Sequence, residues 1–152
     1  MLLLYKNQEN LGDFGKESFE AIFQKHSIYA VKRKHVLFHE GHPALGLYFV
    51  ASGRVKIFKF GRNGRPYILF FAGPGDLLNV ESAYGGECTT SGEMLEDGRV
   101  GFIEKEKFNS LVGSNLSLLL RLSEMLTRRI AYSYEERVEL ADGRVRERMA
   151  RA

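Results

Sequence analysis

The sequence predicts a mainly β domain with flanking helices, and the texture of the chain carries that prediction. Between residues 29 and 103, short β-favouring runs are divided by Gly, Pro, Asn and Asp, with no long helical pattern among them. Before and after this stretch the apolar residues recur every three or four positions instead. Many short strands with regular turn signals argue for a sandwich, jelly roll or small barrel. They do not suit a parallel α/β sheet, which would alternate strands with helices.

The elements follow in order. Phe14, Phe19, Ile22 and Phe23 share one helix face, so a short amphipathic helix is expected over residues 12–26. Val36-Leu37-Phe38 runs into the turn Glu40-Gly41-His42-Pro43. Residues 45–50 and 55–60 read as two strands joined at Ser52-Gly53. Gly61-Arg62-Asn63-Gly64 turns the chain again, because Asn and Gly tolerate the positive φ that hairpins need. Residues 67–71 form the next strand, Gly73-Pro74-Gly75-Asp76 another turn, and Met94-Leu95 and residues 100–103 continue the series.

Residues 104–111 read as a short helix, and Gly113-Ser114-Asn115 as a break that offers good N-cap residues. Residues 116–141 then run without Gly or Pro, with Leu119, Leu122, Leu126, Ile130, Tyr134 and Val138 in one stripe. At 1.5 Å per residue this helix is about 40 Å long, more than a small β domain needs for its own core. Packing partly on its own sheet and partly on a second copy accounts for the excess, so these six residues are expected at a homodimer interface. Asp142-Gly143 is expected to break the helix, and residues 144–152 resume a helical pattern. So short a helix is unstable alone in water, so the chain is expected to end inside a further domain, with Asp142 and Gly143 as the hinge. The expected organisation is a β domain with its N-terminal helix at 12–112, a dimerisation helix at 114–141, and a hinge with the start of the next domain at 142–152.

Composition narrows the function classes. The 152 residues are 44% hydrophobic and 27% charged, which is ordinary globular material. A net charge of +3, from 22 Lys and Arg against 19 Asp and Glu, excludes a polycationic tail. One cysteine, Cys88, excludes a disulfide framework and a cysteine-only metal cluster, and fits a reducing cytoplasm. The apolar start Met1-Leu2-Leu3-Leu4-Tyr5 is too short for a signal or membrane segment, so no membrane partner is expected.

Catalytic and metal chemistry find little support. His35, His39 and His42 raise the alternative of a cupin-type metal enzyme, but His39 and His42 flank a turn and their rings are expected to diverge. Cys88 has no Lys, Arg or His beside it and reads as an ordinary thiol. The connection from Gly85 to Gly92 has the backbone and hydroxyl donors of an anion cradle. Lys32-Arg33-Lys34 and Arg54, Lys56, Lys59, Arg62 and Arg65 read as a solvated face. No Ser-His-Asp constellation, P-loop or dinucleotide fingerprint is present, so no enzyme activity, metal or cofactor is expected.

EGHPALGLYFVASGRVKIFKF, from residue 40 to 60, resembles the strand-turn-strand signature of the CRP/FNR family of bacterial transcription regulators. Gly61-Arg62-Asn63-Gly64-Arg65, Gly73-Pro74-Gly75-Asp76-Leu77-Leu78, Leu95-Glu96-Asp97-Gly98-Arg99-Val100 and Phe108 continue the likeness. The long helix resembles the family's dimerisation helix, and Val145-Arg146-Glu147-Arg148-Met149-Ala150 the opening of its DNA-binding domain.

The resemblance implies a double-stranded β-helix, the jelly roll of cyclic-nucleotide-binding domains, followed by a dimerisation helix. It also implies a small-molecule effector in the roll and DNA contacted through a C-terminal helix-turn-helix absent from this sequence. By family position the effector region is Asp76, Leu77, Leu78, Asn79, Glu81, Thr89, Thr90 and Ser91, with Leu126, Ile130 and Tyr134 facing pocket or partner. Cyclic-nucleotide binders of the family carry a Glu after the Gly-Asp turn and an Arg that pairs with the cyclic phosphate. Here Val80 stands at the Glu position and Thr90-Ser91-Gly92 near the Arg position. A hydroxyl supplies neither the charge nor the fork of a guanidinium, which argues against a cyclic nucleotide. No histidine follows Asp76, which argues against the haem-based gas sensors of the family, and no N-terminal cysteines match the iron–sulfur sensors.

Overall fold

A computed structural model describes the backbone of residues 27–151 and the side chains of residues 27–143. Strands β1 (Ile28–Val31), β2 (Val36–Phe38), β3 (Gly46–Ser52), β4 (Val55–Phe60), β5 (Pro66–Ala72), β6 (Leu77–Leu78), β7 (Ser91–Met94) and β8 (Gly98–Glu104) precede two helices, α1 (Lys105–Ser114) and α2 (Leu116–Arg151). The strands form two four-stranded sheets in the orders β1-β8-β3-β6 and β2-β7-β4-β5, every pair antiparallel. This is a jelly roll, one of the three architectures the turn signals left open and the one the family resemblance implied.

The pleat of β3 explains where the two cores sit. Successive side chains point to opposite faces, and here both faces are covered. Leu47 and Phe49 join Leu77, Phe108, Leu118 and Met125 under the helices, whereas Val50 joins Val55, Ile57, Leu78 and Val100 between the sheets. Two buried faces make β3 read as a nearly continuous apolar run. The close approach of strands requires glycine at Gly46, where a Cβ would lie 2.2 Å from the Ile103 carbonyl oxygen. Gly53 turns β3 into β4 with φ of 94°.

Asn115 separates the helices as its sequence position suggested. Its backbone leaves the helical region, and its Oδ1 accepts the Leu118 N–H at 3.3 Å, capping α2. The helix break expected at Asp142-Gly143 is absent, because α2 continues for 36 residues through both to Arg151. A single helical glycine costs only about 1 kcal/mol relative to Ala, and the Arg and Glu residues that follow are good helix formers. The boundary expected at 142 is therefore not marked by any change of secondary structure. The helix expected over residues 12–26 lies outside the described residues. Among the described residues no helix is long and apolar enough to cross a membrane.

Candidate functional site

The segment from Gly73 to Ser91 links the two sheets, and its local chemistry places each predicted residue. Asp76 closes its turn by accepting the Gly73 N–H on Oδ2 at 2.8 Å, while its carbonyl accepts the Val50 N–H at 3.0 Å. Leu77 and Leu78 are fully buried, one in each core, so their side chains are packing and not part of an open site. Asn79 adopts the left-handed conformation with φ of 63° and is buried. Its Nδ2 donates to the Gly46 carbonyl at 2.9 Å, and its Oδ1 accepts from the Ser82 hydroxyl at 2.7 Å. A short 3₁₀ turn, Val80–Ala83, follows, with Val80 in the core and Glu81 exposed.

The far end of the segment is tied elsewhere. Ser91 is buried and its hydroxyl accepts the Glu40 N–H at 2.8 Å. Thr90 is buried, Thr89 is exposed, and the Thr89 carbonyl accepts from Lys59 Nζ at 2.8 Å. Lys59 also pairs with Glu40 at 2.7 Å, and the other Glu40 oxygen accepts the Phe60 N–H at 3.0 Å. The Lys59 hydrogen bond, reinforced by that N–H, holds the Glu40 carboxyl below its ordinary range. A carboxylate depressed in the folded state adds stability above its unfolded pKa and loses it as pH falls through the folded value. Glu40→Gln is accordingly expected to lower the melting temperature near neutral pH, with the difference from wild type shrinking as pH falls through the carboxyl's folded-state value. Melting curves of both proteins across that range check it.

The structure also brings in residues that sequence reasoning passed over. Arg129 of α2 donates to the Leu77 carbonyl, and its guanidinium lies 5.4 Å from the centre of the Phe70 ring. Burial pushes its pKa down, and the charges of Glu81 and Asp76 pull it back up. One helix side chain thus bonds the predicted segment at Leu77 and lies in the field of the Asp76 and Glu81 charges. From α1, Asn109 donates to the Ala83 carbonyl at 2.8 Å and Lys105 to the Gly85 carbonyl at 3.3 Å. Long-range contacts of this kind leave no mark in local sequence; only an Arg next to an apolar stripe hints at Arg129.

The stripe on α2 divides into two. Leu118, Leu122 and Met125 are buried against the roll, so Leu122 is not an open interface residue as expected but part of the domain's own core. Leu119, Leu126, Ile130, Tyr134 and Val138 remain exposed, rising to 68% at Val138. Two apolar stripes on adjacent helix faces share the same three- and four-residue steps, which is why periodicity merged them.

A separate cleft of about 140 Å³ opens at the edge of the roll, lined among others by Phe38, His39, His42, Tyr48, Asn79 and Cys88. The divergence expected of His39 and His42 is not observed, since their ring centres stand 4.9 Å apart. The tight turn at Gly41, with φ of 82°, brings the two side chains to the same rim. Cys88 is buried in the wall, with Asn79 Nδ2 3.6 Å from its sulfur. Burial, followed by the neighbouring Tyr29 and Cys88, pushes the Tyr48 hydroxyl up to about 12. Among the described residues no group of three His, Cys, Asp or Glu side chains is placed to hold a metal ion.

With that geometry in hand, comparisons with known proteins are informative. The family model of the cyclic nucleotide-binding domain matches residues 29–115. The CRP-like cAMP-activated global transcriptional regulator of Mycobacterium tuberculosis is 29% identical over 99 residues, 64% of this chain and 44% of that protein. The transcriptional activatory protein AadR of Rhodopseudomonas palustris is 27% identical over 140 residues, 92% of this chain and 56% of that protein. The crystal structure of Thermus thermophilus catabolite activator protein is similar with a TM-score of 0.71 at 26% identity, covering 84% of this chain and 60% of that one. The chain spans about half the length of the curated relatives it matches.

Proposed function

Because the chain belongs to the cyclic nucleotide-binding domain family, we propose that it is the effector-sensing and dimerisation region of a CRP/FNR-type transcription regulator acting in the cytoplasm. In this reading a small molecule bound in the roll shifts the packing of α2, and a C-terminal domain turns that shift into DNA binding. The observation that carries it is the apolar stripe of Leu126, Ile130, Tyr134 and Val138, exposed on a helix that continues past its own roll. A second copy packed along α2 covers this stripe as a coiled-coil seam.

The effector in this reading is not a cyclic nucleotide. Val80 sits in the core where the family's nucleotide binders carry a carboxylate, and Thr90 and Ser91 supply no guanidinium. Arg129 is already engaged with the Leu77 carbonyl and the Phe70 ring, which suits a link between segment and helix.

Sedimentation equilibrium tests the dimer. Wild-type protein is expected to sediment as a dimer. Ile130→Glu with Tyr134→Glu is expected to weaken association by at least about a hundredfold, roughly 2.8 kcal/mol. A monomeric wild type, or a double variant that dimerises equally well, overturns the reading.

A further inference from the structure

The hairpin of β4 and β5 carries an apolar face that the core of the roll does not use. Lys56, Phe58 and Phe60 share the outer side of β4: the Lys56 ammonium lies 5.0 Å from the centre of the Phe58 ring, and Phe58 meets Phe60 edge to face. Their cross-strand partners on β5 are Phe71, Ile68 and Pro66. Positions 68 and 71 would fall on opposite faces of a regular strand. A bulge inserts Leu69 opposite the Ile57–Phe58 step and brings both to the outer side. Leu69 and Phe70 pack against the core between the sheets instead. The outer residues stay open, with Phe60 51% and Ile68 46% exposed. Phe70, which Arg129 of α2 covers, points to the other side of β5, so this face is separate from the stripe on the helix.

Charge of one sign frames the patch. No Asp or Glu occurs between Gly41 and Gly75, whereas Arg54, Lys56, Lys59, Arg62 and Arg65 all fall there. Glu93 answers Lys56 at 3.3 Å and Glu40 answers Lys59 at 2.7 Å, both from outside the hairpin. Among the described residues no carboxylate pairs with Arg54, Arg62 or Arg65. Arg54 lies over the Phe71 ring at one end of the patch. Arg62 and Arg65 are exposed on the turn at the other end, about 20 Å away along β4. That turn is braced, because Asn63 accepts the Arg65 N–H at 3.0 Å and donates to the Tyr67 hydroxyl at 3.2 Å.

We propose that this face docks an acidic amphipathic segment of a partner protein. The segment's apolar side chains cover Phe60, Ile68 and Phe71, and carboxylates toward its ends meet Arg54, Arg62 and Arg65. An apolar centre with a charged rim is the usual anatomy of a protein interface. A nucleic acid fits less well, since its phosphates would gain from the guanidiniums but not from Pro66 and Ile68 between them. The surface stands on the hairpin alone and does not depend on the sensor reading.

Fluorescence anisotropy on the full chain tests it, with a labelled peptide that alternates Leu and Phe with Asp and carries Glu at both ends. Wild-type protein is expected to bind this peptide saturably, with shifts in the amide resonances of Phe60, Ile68 and Phe71. Arg62→Glu with Arg65→Glu, and separately Phe60→Ser with Ile68→Ser, are each expected to weaken binding by at least about tenfold. The same peptide with Ser in place of Leu and Phe is expected to lose binding to wild type by a similar factor, a result independent of how the variants fold. Absence of binding overturns the proposal. A serine peptide or a short DNA duplex that binds as tightly overturns it as well, because the face is then a general anion site. Binding confined to the Ile130→Glu, Tyr134→Glu variant also overturns it, because a second copy then covers the face. None of these outcomes alters the dimer test.

Discussion

Phe108→Ala is expected to destabilise the fold by about 3–5 kcal/mol, the usual range for truncating a fully buried aromatic residue. Phe108 has no exposed surface and lies in the cluster that joins Leu47 and Leu77 of the roll to Leu118 and Met125 of α2. Its loss removes ring contacts and leaves a cavity that strands on one side and a helix on the other cannot collapse into. Against a total stability of about 5–15 kcal/mol for an ordinary domain, that is enough to populate unfolded or helix-detached protein. Urea unfolding checks it through a lower midpoint at unchanged slope. Leu120→Ala, at a position 56% exposed, serves as the control and should stay within about 0.5 kcal/mol of wild type. Equal effects from the two variants would show that α2 is not anchored through this core.

Arg129→Met has the second largest expected effect, about 1–3 kcal/mol, the cost of leaving a buried acceptor without its donor. Methionine keeps much of the apolar stem over Phe70 but offers nothing to the Leu77 carbonyl or to the charges of Asp76 and Glu81. Arg129→Lys is expected to recover only part of the loss, because an ammonium lacks the planar fork that bonds and stacks at once. Urea unfolding of both variants beside wild type checks it, and a midpoint for Arg129→Met equal to that of wild type would show that the Leu77 carbonyl does not depend on this donor.

The division between what was legible and what was not follows from the range of the interactions. Strands β3, β4 and β5, their hairpins and the start of α2 at Leu116 could all be read from alternation, turn residues and an Asn cap. These signals act within a few residues, so local sequence contains them. The family was legible for the same reason, since its motifs are runs of turn glycines and strand residues. The end of α2 was not, because Asp142-Gly143 is a weak breaker and the helix overrides it.

The site divides along the same line. Sequence by itself determined the roll and the long helix after it. Tertiary structure alone decided that Leu122 faces the roll while Ile130 does not, and that His39 and His42 share one rim. It also decided that Arg129 meets Leu77 across 52 residues of chain. Each of these depends on which faces meet when two sheets and a helix pack, and no periodicity along a single strand or helix records its partner.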